Sequence, residues 1–168
     1  MLRRKKTKVA ALFLSLVMLV LLFTDVSPYD VGLYVHTGTP YCSHLAYQPY
    51  LSHFTYHFFH ANALHLTLNI WCFLSCVFLA DISAGKLLAA YLIACTAPAL
   101  SAVPTIGFSG VCFAMLGFIQ WQSRNKLSYN VSIISCIVLP LFLLPHSVNS
   151  LLHAYCYAAA VIVGLLSQ

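Results

Sequence analysis

Glutamate is absent from this chain of 168 residues, and its three aspartates stand at positions 25, 30 and 81. An HExxH zinc helix, which draws its general base from glutamate, is thereby excluded. Paired aspartates buried in apolar segments are excluded too, because no two of the three fall within such segments. Cysteine occurs seven times but never as CxxC or at a zinc-like spacing. These thiols read as small packing residues, with Cys72 and Cys76 one helical turn apart, and not as a disulfide framework or a metal site. Charge is scarce as well, at 7% of residues against 61% hydrophobic. With a mean hydropathy of +0.89, the chain carries more apolar surface than a soluble domain of this size can bury, which points to a polytopic membrane protein.

What is present is a series of apolar runs. Polar breaks divide them into six expected spans, at 9–26, 58–80, 86–103, 109–123, 129–145 and 148–167. The expected fold is an all-α polytopic membrane protein, a compact bundle of six transmembrane helices forming one domain over 1–168. All eight basic residues then fall on one side: Arg3, Arg4, Lys5, Lys6 and Lys8 before the first span, Lys86 after the second, Arg124 and Lys126 after the fourth. The positive-inside rule makes that side cytoplasmic and places both termini there. The Arg3–Lys8 cluster is explained as a topology signal that can touch anionic lipid, and nothing points to nucleic acid. A basic start before an apolar run also outlines a secretory signal peptide, but Phe23-Thr24-Asp25-Val26 lacks a small-residue cleavage site and favours a retained helix. Residues 27–55 form the one long outer loop, whose Tyr29, Tyr34, Tyr41, Tyr47 and Tyr50 suit a membrane interface and which holds Cys42.

Against this background a few polar residues stand out. Ser109 lies in Gly107-Phe108-Ser109-Gly110, His153 in a later apolar run, and His60, His65 and Asn69 in an earlier one. Ionisable and polar groups in such surroundings are functional by default. At 1.5 Å per residue, Ser109 lies about 22 Å from Arg124, His65 and Asn69 about 24 and 18 Å from Asp81, and His153 about 22 Å from the chain end, so all four share one depth. Ser101–Phe108, with Pro104 and Gly107, then descends as irregular backbone, which requires burial in protein or a watery cavity. His65 and Asn69, at i and i+4, project from one face. Gly110, Ala114 and Gly117 form one small-residue stripe, and Cys156, Ala160 and Gly164 extend another from His153, permitting close helix approach.

A neutral serine hydroxyl needs a general base. His153 is the available one, and without a nearby carboxylate the arrangement is a Ser–His dyad. Donors for a developing oxyanion are the Ser109 N–H at a helix start, the Asn69 amide and the His65 imidazole. Taken singly, Ser109 reads equally as a helix cap, His65 and Asn69 as interhelical hydrogen bonders, and His153 as a satisfied core histidine. Two other function classes compete: a metal-binding or transport protein using His53, His57 and His60 at i, i+4 and i+7 with His65 beyond, and a non-catalytic binder of membrane proteins.

The stretches His60-Ala61-Asn62-Ala63-Leu64-His65-Leu66-Thr67-Leu68-Asn69 and Gly107-Phe108-Ser109-Gly110-Val111-Cys112-Phe113-Ala114-Met115-Leu116-Gly117, followed by His153, resemble the rhomboid family of intramembrane serine proteases. The resemblance spans the whole chain. It implies Ser109 as nucleophile, His153 as base, and His65 and Asn69 as oxyanion helpers. His60 matches the family's additional second-helix histidine, and Phe113 falls where an aromatic ring packs on the catalytic histidine. The implied activity is a serine endopeptidase that hydrolyses peptide bonds in or next to transmembrane segments of other membrane proteins. It needs no cofactor, and its site opens to the outer face of a membrane such as the bacterial inner membrane. The chain departs from the family in the loop stretch Tyr50-Leu51-Ser52-His53-Phe54-Thr55, where a Trp-Arg pair is common, and in Cys156 and Ala160, where glycines are usual.

Overall fold

The computed structural model describes residues 2–34, 49–99, 103–144 and 148–167. The loop tyrosines Tyr41 and Tyr47 and the loop cysteine Cys42 lie outside the described residues. Eight α-helices are described: α1 (Leu2–Leu21), α2 (Pro28–Val31), α3 (Pro49–Thr55), α4 (Ala63–Phe78), α5 (Ala84–Cys95), α6 (Ser109–Ile119), α7 (Lys126–Leu143) and α8 (Ser150–Leu166). Short 3-10 turns follow α3 at Tyr56–Phe58 and α6 at Gln120–Gln122. The extended pairing found among the described residues is one antiparallel bridge, Leu33 with Thr105.

The six-transmembrane-helix expectation does not hold. Among the described residues one helix, α7, is long and apolar enough to cross a membrane, or two if Tyr50–Phe58 and Ala63–Phe78, bent by 88°, count as a single span. The sidedness of the two termini, which rested on six crossings, falls with it. The reason lies in polar residues that stop helices inside the apolar runs. Asn62 accepts the His65 N–H and starts α4 late, after the extended Phe59. Thr96 ends α5 at 12 residues, well short of the end of the apolar run at 103. Helix α6 has 11 residues and α8 has 17, or about 16 and 26 Å against a hydrocarbon core of about 30 Å. Helix α1 is 20 residues long, but its first turns carry the basic cluster.

Helix α6 is the centre of the molecule, with Gly110, Val111, Cys112, Ala114, Met115, Gly117 and Phe118 all buried. It runs parallel to α8. Ser109 meets His153 at one end, a Cβ on Gly117 would lie 2.6 Å from the Tyr157 carbonyl oxygen and 2.9 Å from Ala160 Cβ, and Gly164 touches the Trp121 ring at the other end. The Trp121 indole N–H donates to the Val161 carbonyl at 3.2 Å. Helix α4 joins α6 through the Cys112 thiol, which donates to the Asn69 carbonyl, and the 3-10 turn after α3 joins α5 through the Tyr56 hydroxyl, which donates to the Ala94 carbonyl at 3.1 Å. Arg4 and Lys8 pair with Asp81 and tie the start of α1 to the end of α4.

The outer faces stay apolar. Val9, Leu12, Phe13, Leu16 and Val20 on α1 and Val131, Ile134, Phe142 and Leu143 on α7 are exposed. Exposed apolar faces of this kind mark surfaces that meet a partner or a membrane.

The parallel contact sets a stability test. Gly117→Ala drives a methyl group onto the backbone of α8, which cannot yield as a side chain tip would. The expected loss is about 2 kcal/mol, read as a fall of several degrees in the melting temperature of the purified protein.

Candidate active site

The first turns of α4, α6 and α8 meet at one end of the bundle. His65 is the third residue of α4, Ser109 the first of α6 and His153 the fourth of α8. Ser109 Oγ lies 2.8 Å from His153 Nε2, a normal O–H···N hydrogen bond when the imidazole is neutral with its proton on Nδ1. The Phe113 ring stacks on the imidazole with centroids 4.3 Å apart and planes 20° apart. His153 is buried, and its Nδ1 has no hydrogen-bond partner among the described residues. Asp81, the acid paired with Arg4 and Lys8, sits at the far end of α4. The pair is therefore a dyad held by ring packing, with no carboxylate behind the histidine among the described residues.

Ser109 does not cap α6. It occupies the first helical position, and the preceding Phe108 supplies no side-chain cap. The starts of α4 and α8 differ, with Asn62 and Asn149 accepting N–H groups of their own helices. No capping side chain competes for the first-turn N–H groups of α6, and such groups favour negative charge at a helix N-terminus.

Gly107 shapes the approach to this turn. Its φ of +125° is a conformation that other L residues rarely adopt. Its missing side chain leaves room for two neighbours: a Cβ there would lie 2.6 Å from His65 Cε1, 2.7 Å from His65 Nε2 and 3.3 Å from Asn69 Nδ2. Both polar side chains of α4 thus rest on the backbone two residues before Ser109. Asn69 Nδ2 is buried without a hydrogen-bond partner among the described residues. Leaving a buried donor unmade costs about 1–3 kcal/mol, so a group in that state is suited to a ligand's oxygen. His60 supports the same loop from behind, its Nε2 accepting the Phe108 N–H at 3.3 Å, with its ring 5.2 Å from that of His65. Gly110 lets α8 come close, since a Cβ there would lie 3.0 Å from Leu152 Cδ2 and 3.4 Å from Cys156 Sγ.

The residues singled out from the sequence, Ser109, His153, His65, Asn69, His60, Gly107, Gly110 and Phe113, are therefore gathered in one place. Tyr56 was not among them, yet its carbonyl accepts the Gly107 N–H at 2.9 Å and its ring is fully buried. It lies four residues before the His60–Asn69 stretch, and nothing in the sequence marked it. A cavity of about 380 Å³ lies beside His60, lined also by Leu22, Pro28, Phe59, Asn62 and Ile106.

The histidine series at 53, 57 and 60 does not converge. The His53 Nδ1–H donates to the Cys95 carbonyl at 3.0 Å and the His57 Nε2–H to the His53 carbonyl at 3.1 Å. The helix carrying them ends at Thr55, which breaks the i, i+4, i+7 alignment. Among the described residues no group of three or more His, Cys, Asp or Glu side chains is placed to hold a metal ion.

Comparison with known proteins yields no relative: no protein-family model, no curated protein and no solved structure matches the chain.

Two glycines test the local geometry against each other. Gly107→Ala combines a positive φ with contacts under 3.0 Å and is expected to destabilise by about 2 kcal/mol. Gly85→Ala, in α5 with nothing within 4 Å of the new methyl, is expected to leave the melting temperature unchanged or raise it. Thermal unfolding of the two variants side by side checks both signs.

Proposed function

We propose that Ser109 and His153 are the working dyad of a serine endopeptidase that cuts peptide bonds in or next to transmembrane segments of other membrane proteins, the activity implied by the chain's resemblance to rhomboid proteases. The observation that carries the reading is the 2.8 Å approach of Ser109 Oγ to His153 Nε2. In the reaction, His153 Nε2 takes the hydroxyl proton as Oγ attacks the scissile carbonyl carbon. The resulting oxyanion is met by the Ser109 N–H and by the Asn69 and His65 side chains. His153 then gives its proton to the leaving amine as the C–N bond breaks. Water, deprotonated by the same nitrogen, hydrolyses the Ser109 ester and restores the hydroxyl. No cofactor enters these steps.

The exposed apolar faces of α1 and α7 support a bilayer as the setting. The location that goes with the reading is a cell membrane of the bacterial inner type, with lipid and membrane-protein substrates as partners.

The test is covalent labelling by a fluorophosphonate serine probe together with cleavage of a reconstituted single-span substrate. Ser109→Ala and His153→Ala are each expected to lower both by about 10³-fold or more while preserving helical content. Cleavage that persists in purified Ser109→Ala would refute the reading.

A further inference from the structure

We infer that Asn149 is a positioning residue, which through its hydrogen bond to Thr105 holds the loop before Ser109 against the start of α8 and thereby sets the Ser109–His153 distance. The inference rests on the dyad reading above. Helices α6 and α8 are separated in sequence by α7, and a single neutral hydrogen bond is worth only about 1 kcal/mol. The glycine-lined seam sets the spacing of the two helices, and at its end a hydrogen bond of that size leaves the alignment of the two side chains open to a second tie. Thr105 precedes Ser109 by four residues, and Asn149 precedes His153 by four. Asn149 Nδ2 donates to Thr105 Oγ1 at 2.9 Å, so the same two chain segments are joined twice, once at each end of a four-residue stretch.

Both partners of this upper link are themselves fixed. Asn149 Oδ1 accepts the Leu152 N–H at 3.0 Å, which caps α8 and turns the amide nitrogen towards Thr105. The Asn149 carbonyl accepts the His153 N–H at 3.2 Å, so movement of Asn149 is passed directly to the histidine backbone. Thr105 is held by a reciprocal pair of backbone hydrogen bonds with Leu33, each 2.9 Å. A continuous path therefore runs from Leu33 through Thr105 and Asn149 to His153. The loop's other anchors, the Tyr56 carbonyl and His60, hold Gly107 and Phe108 from the α3–α4 side. The Thr105 hydroxyl adds the tie to α8.

The variants separate the link from the cap and from loop packing. Thr105→Val removes the hydroxyl but keeps a β-branched residue at the bridge, and Thr105→Ser keeps the hydroxyl. Asn149→Ser keeps a capping oxygen but is too short to reach Thr105. With the fluorophosphonate probe, Thr105→Val and Asn149→Ser are each expected to lower the saturating labelling rate at least tenfold with the half-saturating probe concentration unchanged, as misplacement of a reacting group predicts. The double variant should be no slower than the slower single one, and Thr105→Ser should stay within twofold of the parent protein. A second measurement needs no activity: the nitrogen-15 resonance of His153 Nε2 should lose its hydrogen-bonded shift in Thr105→Val and Asn149→Ser and retain it in Thr105→Ser. Absence of labelling in the parent protein would count against the peptidase reading, while the resonance would still decide the positioning role. Parent-like labelling with an unchanged resonance in Thr105→Val and Asn149→Ser overturns the inference, as does an equal loss in Thr105→Ser.

Discussion

The parallel contact between α6 and α8 is the constraint on which the rest of the molecule depends. A serine and a histidine on different helices can share a hydrogen only if their backbones come close, and the glycines determine that approach. At Gly110 and Gly117 on α6 and Gly164 on α8 a methyl group would meet, respectively, Leu152, the Tyr157 carbonyl and the Trp121 ring. With these positions empty the two helices lie in contact along their length. The dyad then sits at the open end of a packed seam, and rigidity along the seam becomes precision at its end.

That end gathers three helix N-termini. Each contributes unpaired N–H groups and the positive end of its dipole, and the caps are distributed unevenly. Asn62 and Asn149 satisfy α4 and α8, whereas α6 begins at Ser109 without a capping side chain. The turn without a capping side chain is thus the one that begins at Ser109. The unpartnered Asn69 amide points to the same economy: a polar group buried in an apolar body is stable there only if something meets it. Phe113 stacks on the His153 ring and fixes its plane, although the Nδ1–H that a triad carboxylate would accept has no partner among the described residues.

Outside the seam the architecture is looser in character. Helix α7 buries only Ile137, and its Tyr129 hydroxyl reaches back to the Leu116 carbonyl at 2.9 Å. Exposed apolar side chains lie on α1, α4, α5, α7 and α8, whereas α6 is mostly buried. The start of this short central helix places Ser109, half-buried, beside His153.

Much of the site was legible in the sequence because its signals are local. His65 and Asn69 share a face by helical spacing alone, Gly107 and Gly110 flank a serine in a turn-forming run, and a polar side chain in an apolar segment announces itself by contrast. The helix count was not legible. Hydropathy measures how apolar a run is, not where its backbone stops being helical, and Asn62 and Thr96 end or delay helices within runs that look continuous. The histidine series at 53, 57 and 60 misled for the same reason, since its spacing has meaning only on an unbroken helix.

The amino-acid sequence by itself determined which chemistry is absent: a chain without glutamate and with three scattered aspartates has no HExxH helix and no aspartate pair within its apolar runs. It also determined the apolar exterior, because composition sets how much nonpolar surface exists whatever the fold. Only the tertiary structure decided that Ser109 and His153 touch, that Phe113 stacks on the histidine, and that Thr105 and Asn149 join the two segments a second time. Those pairings link residues 40 or more apart. Contacts at that separation are set by how whole helices pack, and local residue preferences carry no record of it.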